Sequence, residues 1–349
     1  MKKTVLVLLG VLLLAGLYTG WNLFGPTVAA PEKKYLYIRT GSSFADVKSS
    51  LLNQKIIKGG FLFDKLSRQL KYHQQVKPGR YEIKDGSNLV ALVRMLKAGR
   101  QSPVRLVINK LRTKEDLAAK IGSNFEADST EAIRFLTSND SLAPYQLDTN
   151  TVMTIIIPNS YLFWWNGSFK KVFSRLKDQH DQFWEGKRAE KARAMNLSPE
   201  QVYTMASIVE EETNKEEDKG KIASVYINRI QRGMKLEADP TVKYAMRNFG
   251  LKRILYGHLQ YPSPYNTYQH TGLPPGPICT PSINTIDAVL DAPETAYIFF
   301  VAKPDFNGYS NFAATYTEHL QFAKAYQQAL DSLIIQKAQK NRDPASDKN

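Results

Sequence analysis

Residues 4–24 carry no charge and are largely apolar, and they follow Lys2 and Lys3 directly. Such a run has one stable form in hydrocarbon, a helix that pairs its own backbone groups, and about 20 residues suffice to cross a bilayer. The next charge after it is Glu32. Lysines before the span and none just after it predict a cytoplasmic N-terminus (residues 1–3), a membrane helix (4–24) and an extracytoplasmic bulk. The rival is a cleaved signal peptide with a site near Val28-Ala29-Ala30, but the apolar run exceeds a usual signal core, which favours an uncleaved anchor.

Residues 25–33, GPTVAAPEK, read as a short tether. In residues 34–103 the pattern predicts a strand at Tyr35 and Tyr37, then a helix capped by Ser42 or Ser43 that buries Val47 and Leu51. A helix over residues 61–70, a strand at GRYEIKDG and a helix capped by Asn88 and stopped by Gly99 follow. Near Val104 the strand–turn–helix pattern recurs, with VRLVI as strand and Thr113 and Asp116 opening a helix. Residues 151–157, TVMTIII, are predicted as a buried strand. Tyr161, Phe163, Trp164 and Trp165 follow and suit either sugar stacking or core packing. A single long helix is expected over residues 169–195, a strand at TAYIFFVA and a last helix over residues 318–337. The tail, 338–349, is expected to be disordered.

The net charge of +14 points to an anionic partner. Lysines and arginines are scattered without a basic run, and the anchor exports the domain, so nucleic acid is excluded as a partner. The single cysteine, Cys279, rules out an intramolecular disulfide and reads as packing. Five histidines without ligand spacing, no Gly-rich phosphate loop and no GxSxG leave no cofactor or metal to expect.

The chemistry gathers around ASIVEEET, residues 206–213. Ser198, Pro199 and Gln201 form a strong helix start, and Val202, Met205, Ala206 and Val209 define one buried face. At about 100° per residue, Glu211 lands opposite that face, as a solvated group. Glu210 and Glu212 fall on its two borders, where partial burial raises a carboxyl pKa and keeps a proton available. A glutamate cluster paired with Lys215, Lys219 or Lys221 is the bland alternative. Downstream, Asp239 is expected to cap a helix that starts at Pro240. Residues 261–282 (YPSPYNTYQHTGLPPGPICTPS) form a rigid loop offering amides and hydroxyls to a hydroxyl-rich ligand.

ASIVEEET, IASVYINRIQRGM, LEADPTV, YNTY, TGLPPGPI and FAATYTEH occur in this order at close spacing. Together they resemble the endolytic murein transglycosylases, the YceG-like family, over residues 34–330. The resemblance implies an α+β protein of the bacterial inner membrane. A small LysM-like module (34–103) would precede a larger mixed α/β periplasmic catalytic domain (104–337). The implied reaction cleaves the β-1,4 bond between N-acetylmuramic acid and N-acetylglucosamine without water and leaves 1,6-anhydromuramyl ends, terminating nascent glycan strands.

The partners implied are peptidoglycan glycan strands and the membrane, with peptidoglycan synthases as candidates. The resemblance assigns the catalytic acid to Glu210. It gives supporting or substrate-binding places to Glu212, Asp239, Thr241, Asn266, Thr267, Tyr268, Gly272, Leu273 and Pro274. The chain departs from the commoner pattern at Glu237, at Pro158-Asn159-Ser160-Tyr161 and at Cys279. One carboxylate suffices for this reaction, since the muramyl 6-hydroxyl serves as an internal nucleophile at high effective concentration.

Overall fold

A computed structural model describes residues 2–342. The chain forms helices and short strands that divide into two compact units. One unit holds the chain up to Leu106 with Lys120–Glu131 and Tyr161–Val172. The other holds Val107–Ala119, Ala132–Ser160 and the chain from Phe173 onward.

The first unit opens on α1 (Lys2–Phe24), whose segment Lys3–Phe24 is long and apolar enough to cross a membrane. Then come β1 (Tyr35–Ile38), α2 (Phe44–Asn53), α3 (Gly60–Gln69), β2 (Gly79–Glu82) and α4 (Leu89–Ala98). Strands β1 and β2 pair antiparallel, Tyr35 opposite Glu82. Ser43 caps α2 in a reciprocal box with Asp46. Asn88 caps α4, and Gly99 ends it at φ 69°, in the left-handed region that glycine enters freely. Leu36, Leu51, Phe63, Tyr72 and Leu96 form the core between these elements.

Strand β3 (Val104–Val107) and helices α5 (Lys114–Asn124) and α6 (Ser129–Leu136) repeat the strand–helix–helix order. They precede the short α7 (Asn139–Leu142) and β4 (Ser160–Phe163), which pairs with β3. The segment predicted as a strand over 151–157 instead contains a 3-10 turn, Val152–Ile155. Asp148 Oδ1 accepts from the Thr151 amide and hydroxyl, and Thr154 Oγ1 donates to Thr151 O, so the entry winds. The run is buried as expected, but an apolar run this short has no period to tell strand from turn. Among the four rings that follow, Tyr161, Phe163 and Trp165 are core, and only Trp164 is exposed, at 56%.

The expected helix over 169–195 is two, α8 (Phe169–Phe183) and α9 (Lys187–Ala194), separated at Gly186 with φ 66°. The second unit is then built on α10 (Pro199–Glu212). Around it lie α11 (Glu216–Gln231), α12 (Asp239–Ala245) and α13 (Ile283–Leu290). Val202, Tyr203, Met205, Ala206, Ile208 and Val209 are all buried, so nearly the whole middle of α10 is core rather than one stripe of it.

Strands β5 (Phe299–Ala302) and β6 (Ser310–Ala313) pair antiparallel beside α14 (Tyr316–Arg342). Strand β5 begins later than TAYIFFVA predicts, because α11 takes its early acceptors. Asn228 Nδ2 donates to Thr295 O and Tyr297 O, and Arg229 Nε donates to Ile298 O. Helix α14 runs into the expected tail through Arg342. The rest of that tail, residues 343–349, lies outside the described residues.

Candidate active site

The capping box of α10 forms as its sequence dictates: Ser198 Oγ accepts the Gln201 amide and Gln201 Oε1 accepts the Ser198 amide. The helix runs fourteen residues and ends with Glu210, Glu211 and Glu212 in its last turn. These three line one cleft of about 420 Å³ with Lys110, Arg112 and Lys215. Glu210 and Lys110 also line a neighbouring cleft of about 370 Å³ with Asn109, Asn159, Ser160 and Ser282. A larger cleft, about 630 Å³, lies at the other end of α10 beside Ser198, Glu200 and Thr204.

The three carboxyl groups have three different settings. Glu210 Oε2 accepts from Ser282 N (3.3 Å) and Ser282 Oγ (3.0 Å), and also from Thr285 Oγ1. Ser282 is the N-cap of α13, so this carboxylate sits at a helix N-terminus, where backbone N–H groups favour an anion. The buried Lys219 stands 3.7 Å away and also pairs with Glu216. Glu210 thus ties α10 to α13.

Glu211 is not the solvated group that helical phase predicts. Lys110 Nζ lies 2.9 Å from its Oε1 and Arg112 Nη2 lies 3.1 Å from its Oε2. Burial alone would raise this carboxyl, but the two cations hold it below its ordinary value. The wheel counted only neighbours on α10, whereas residues 107–113 cross its outer face.

Glu212 is the carboxyl without a cation at hand. Tyr226 Oη donates to its Oε1 at 2.7 Å, and no described residue bonds its Oε2. Burial pushes the group up to about 7; Tyr226 opposes that rise and Asp239 adds to it. Tyr226 is core, set edge-on to Phe300 at 6.1 Å. Its own phenol is held well above the ordinary value, first by burial and then by Glu212.

The loop residues divide the same way. Asn266 is fully buried, and its amide is spent on the loop itself: Nδ2 donates to Leu259 O and Tyr261 O, and Oδ1 accepts the Tyr268 amide. The buried Thr241 and Thr267 hydroxyls share a bond of 2.8 Å, and Thr267 Oγ1 accepts the Ala238 amide, fastening the loop to the start of α12. The polar atoms of these three are spent within the protein, and none of the three lines either cleft at the glutamates. Asp239 is exposed, at the first position of α12 rather than at its cap, and Tyr268 Oη donates to its Oδ1 at 2.7 Å. Glu237 pairs with Arg229, whose guanidinium also donates to the carbonyls of Lys235, Leu236 and Ile298.

Gly272 takes φ 79°, and Leu273 and Pro274 line the larger cleft, away from the glutamates. Farther along, a Cβ on Gly276 would stand 2.1 Å from Asn150 O. Gly276→Ala is therefore expected to destabilise the fold by about 3 kcal/mol, the upper end for overpacking. A urea titration checks this, and an unchanged midpoint would contradict it. Beyond it, Ile278 N donates to Ser207 Oγ, and Cys279 is buried against Ser207 O. Burial raises that thiol well above its usual value, which fits its packing role.

Comparison with known proteins places the chain in a family. The model of the YceG-like family matches residues 36–325, and the chain belongs to that family. Among its relatives, a protein of Bacillus subtilis (strain 168) called endolytic murein transglycosylase is 29% identical over 329 residues. That match covers 88% of this chain and 90% of the relative. A protein of the same name from Streptococcus pneumoniae serotype 2 is 26% identical over 330 residues, covering 83% of this chain but only 59% of that longer protein. The crystal structure of a putative yceG-like protein from Listeria monocytogenes superposes with a TM-score of 0.53 at 26% identity. It covers 83% of this chain and 99% of the Listeria chain.

Proposed function

We propose that this chain is a peptidoglycan lytic transglycosylase whose proton carrier is Glu212. The observation that carries the reading is a carboxyl that lines a cleft, held at Oε1 by Tyr226 and with no described partner at Oε2, in a relative of endolytic murein transglycosylases. A general acid works best with a pKa near the working pH, and burial pushes Glu212 toward it. The family resemblance points to Glu210. Its Oε2, however, is occupied by Ser282 and Thr285, and Glu211 is occupied by Lys110 and Arg112.

Glu212 gives its proton to the glycosidic oxygen between N-acetylmuramic acid and N-acetylglucosamine as that bond breaks. The muramyl C1 gains oxocarbenium character, and the 6-hydroxyl of the same sugar closes on it. Glu212 takes back the hydroxyl proton, so the carboxyl is regenerated and no water is consumed. Hydrolysis would normally need a second carboxylate to serve as nucleophile or to activate water. The two clefts that meet at Glu210 and Lys110 offer adjoining room for sugars on either side of the bond.

Helix α1 would anchor the chain in the bacterial inner membrane with its N-terminus in the cytoplasm and both units outside. The β1–α2–α3–β2 unit would serve as a LysM-like module. Cleavage there would terminate growing glycan strands, and the positive charge would favour the anionic wall at short range. Digestion of purified peptidoglycan by the detergent-solubilised chain, followed by mass spectrometry, is expected to give 1,6-anhydromuramyl ends. Reducing muramyl ends alone would mean a lysozyme-like hydrolase.

A further inference from the structure

We infer that Tyr226 is a positioning residue for the reaction, holding Glu212 by Oε1 so that the exchanged proton resides on Oε2 at the cleft. The inference rests on the reading of Glu212 as the proton carrier. Its basis is geometric. Tyr226 lies on the helix after the glutamates, is 1% exposed, and directs its hydroxyl to Glu212 Oε1 at 2.7 Å. A phenol hydroxyl has one proton to donate, so Oε1 receives it and the carboxyl's own proton is left to Oε2. No described residue takes Oε2, which leaves it free for a sugar oxygen.

The same bond serves both halves of the reaction. When Glu212 has given up its proton, the Tyr226 contact becomes a hydrogen bond to a charged acceptor, which is stronger than one to a neutral acid. The tyrosine thereby eases release of the proton and keeps the carboxylate in place for its return. Burial of the ring leaves little room for water to replace the hydroxyl.

The other groups that bear on Glu212 act from a distance. Arg229, one turn along α11, and Lys243 of α12 favour its charged form, while Asp239 favours the neutral one. Tyr268 bonds Asp239 and not Glu212. On α10 itself, Glu210 and Glu211 are committed to Ser282, Thr285, Lys110 and Arg112. Tyr226 is thus the one described side chain hydrogen-bonded to the Glu212 carboxyl.

The test is the pH profile of kcat/KM on peptidoglycan for the full chain and for Tyr226→Phe, which keeps the ring against Phe300. Activity needs the protonated acid and falls as pH rises through its pKa. Loss of a donor to the charged form raises that pKa, so the alkaline limb is expected to move up by about one pH unit. The plateau is expected to fall about 10-fold. Tyr226→fluorotyrosine, a stronger donor of nearly the same shape, is expected to move the limb the other way. A Tyr226→Phe enzyme that loses rate equally at every pH, with its limb in place, would overturn the inference, as would a fluorotyrosine enzyme whose limb stays put. Glu212→Gln, run alongside, separates the two layers. If it remains active, the acid assignment falls and the inference with it. If it is inactive while both tyrosine variants keep the original limb, only the inference falls.

Discussion

Glu212→Gln is expected to lower kcat/KM on peptidoglycan by about 10²–10⁴-fold, the usual loss when a general acid is removed, while leaving the fold intact. An amide of the same shape still accepts the Tyr226 hydroxyl but has no proton to deliver. Glu210→Gln is expected to cost less than about 10-fold, because its amide oxygen still accepts from Ser282 and Thr285 at the start of α13. The comparison decides between two glutamates that helical phase alone leaves equivalent. An inactive Glu210→Gln beside an active Glu212→Gln would return the proton to Glu210, where the family resemblance puts it.

The second large effect is on stability. A carboxyl with an ordinary pKa near 4.5 that rises to about 7 in the folded protein disfavours the fold wherever it must ionise. The penalty is absent below about pH 4.5, where Glu212 is protonated in both states, grows as pH rises and is complete above about pH 7. The gap corresponds to at most about 3 kcal/mol. Other groups run the opposite way: Glu211, Asp148 and Asp181 are held below their ordinary values and lose their contribution as pH falls. The difference between the wild-type chain and Glu212→Gln cancels those shared terms. The two are expected to match in urea near pH 4.5, and the variant is expected to be the more stable at pH 8. Equal stability at both pH values would mean that Glu212 ionises as it does in water.

Much of this site is legible in the sequence, and the remainder is hidden for identifiable reasons. Ser198, Pro199 and Gln201 announce the start of α10, and counting residues from there places Glu210 and Glu212 at the border of the core. What separates the two comes from elsewhere in the chain. Ser282 and Thr285, which hold Glu210, and Lys110 and Arg112, which hold Glu211, lie some 70 to 100 residues away. Periodicity sees only neighbours three and four positions apart. Tyr226 did carry a local signal: a phenol on the buried face of α11 must find a partner for its hydroxyl. Asn266 is the converse case. A side-chain amide in a shaped loop suggests ligand binding, but its donors and acceptor are consumed by the turn that makes the shape.

The fold shows the same division. Capped helices such as α2, α4 and α10 fall where their sequences put them, since a cap is a local hydrogen bond. The segment over 151–157 and the start of β5 do not, because Asp148 in one case and Asn228 with Arg229 in the other decide where the backbone groups go.

Digestion of peptidoglycan in heavy-oxygen water tests the central claim most directly. If Glu212 passes a proton to the leaving sugar and the muramyl 6-hydroxyl closes the ring, the new muramyl ends carry no heavy oxygen and are lighter than the hydrolysis product by one water. Muramyl ends that carry the heavy oxygen at C1 would show that water is the nucleophile, contradicting the lytic mechanism.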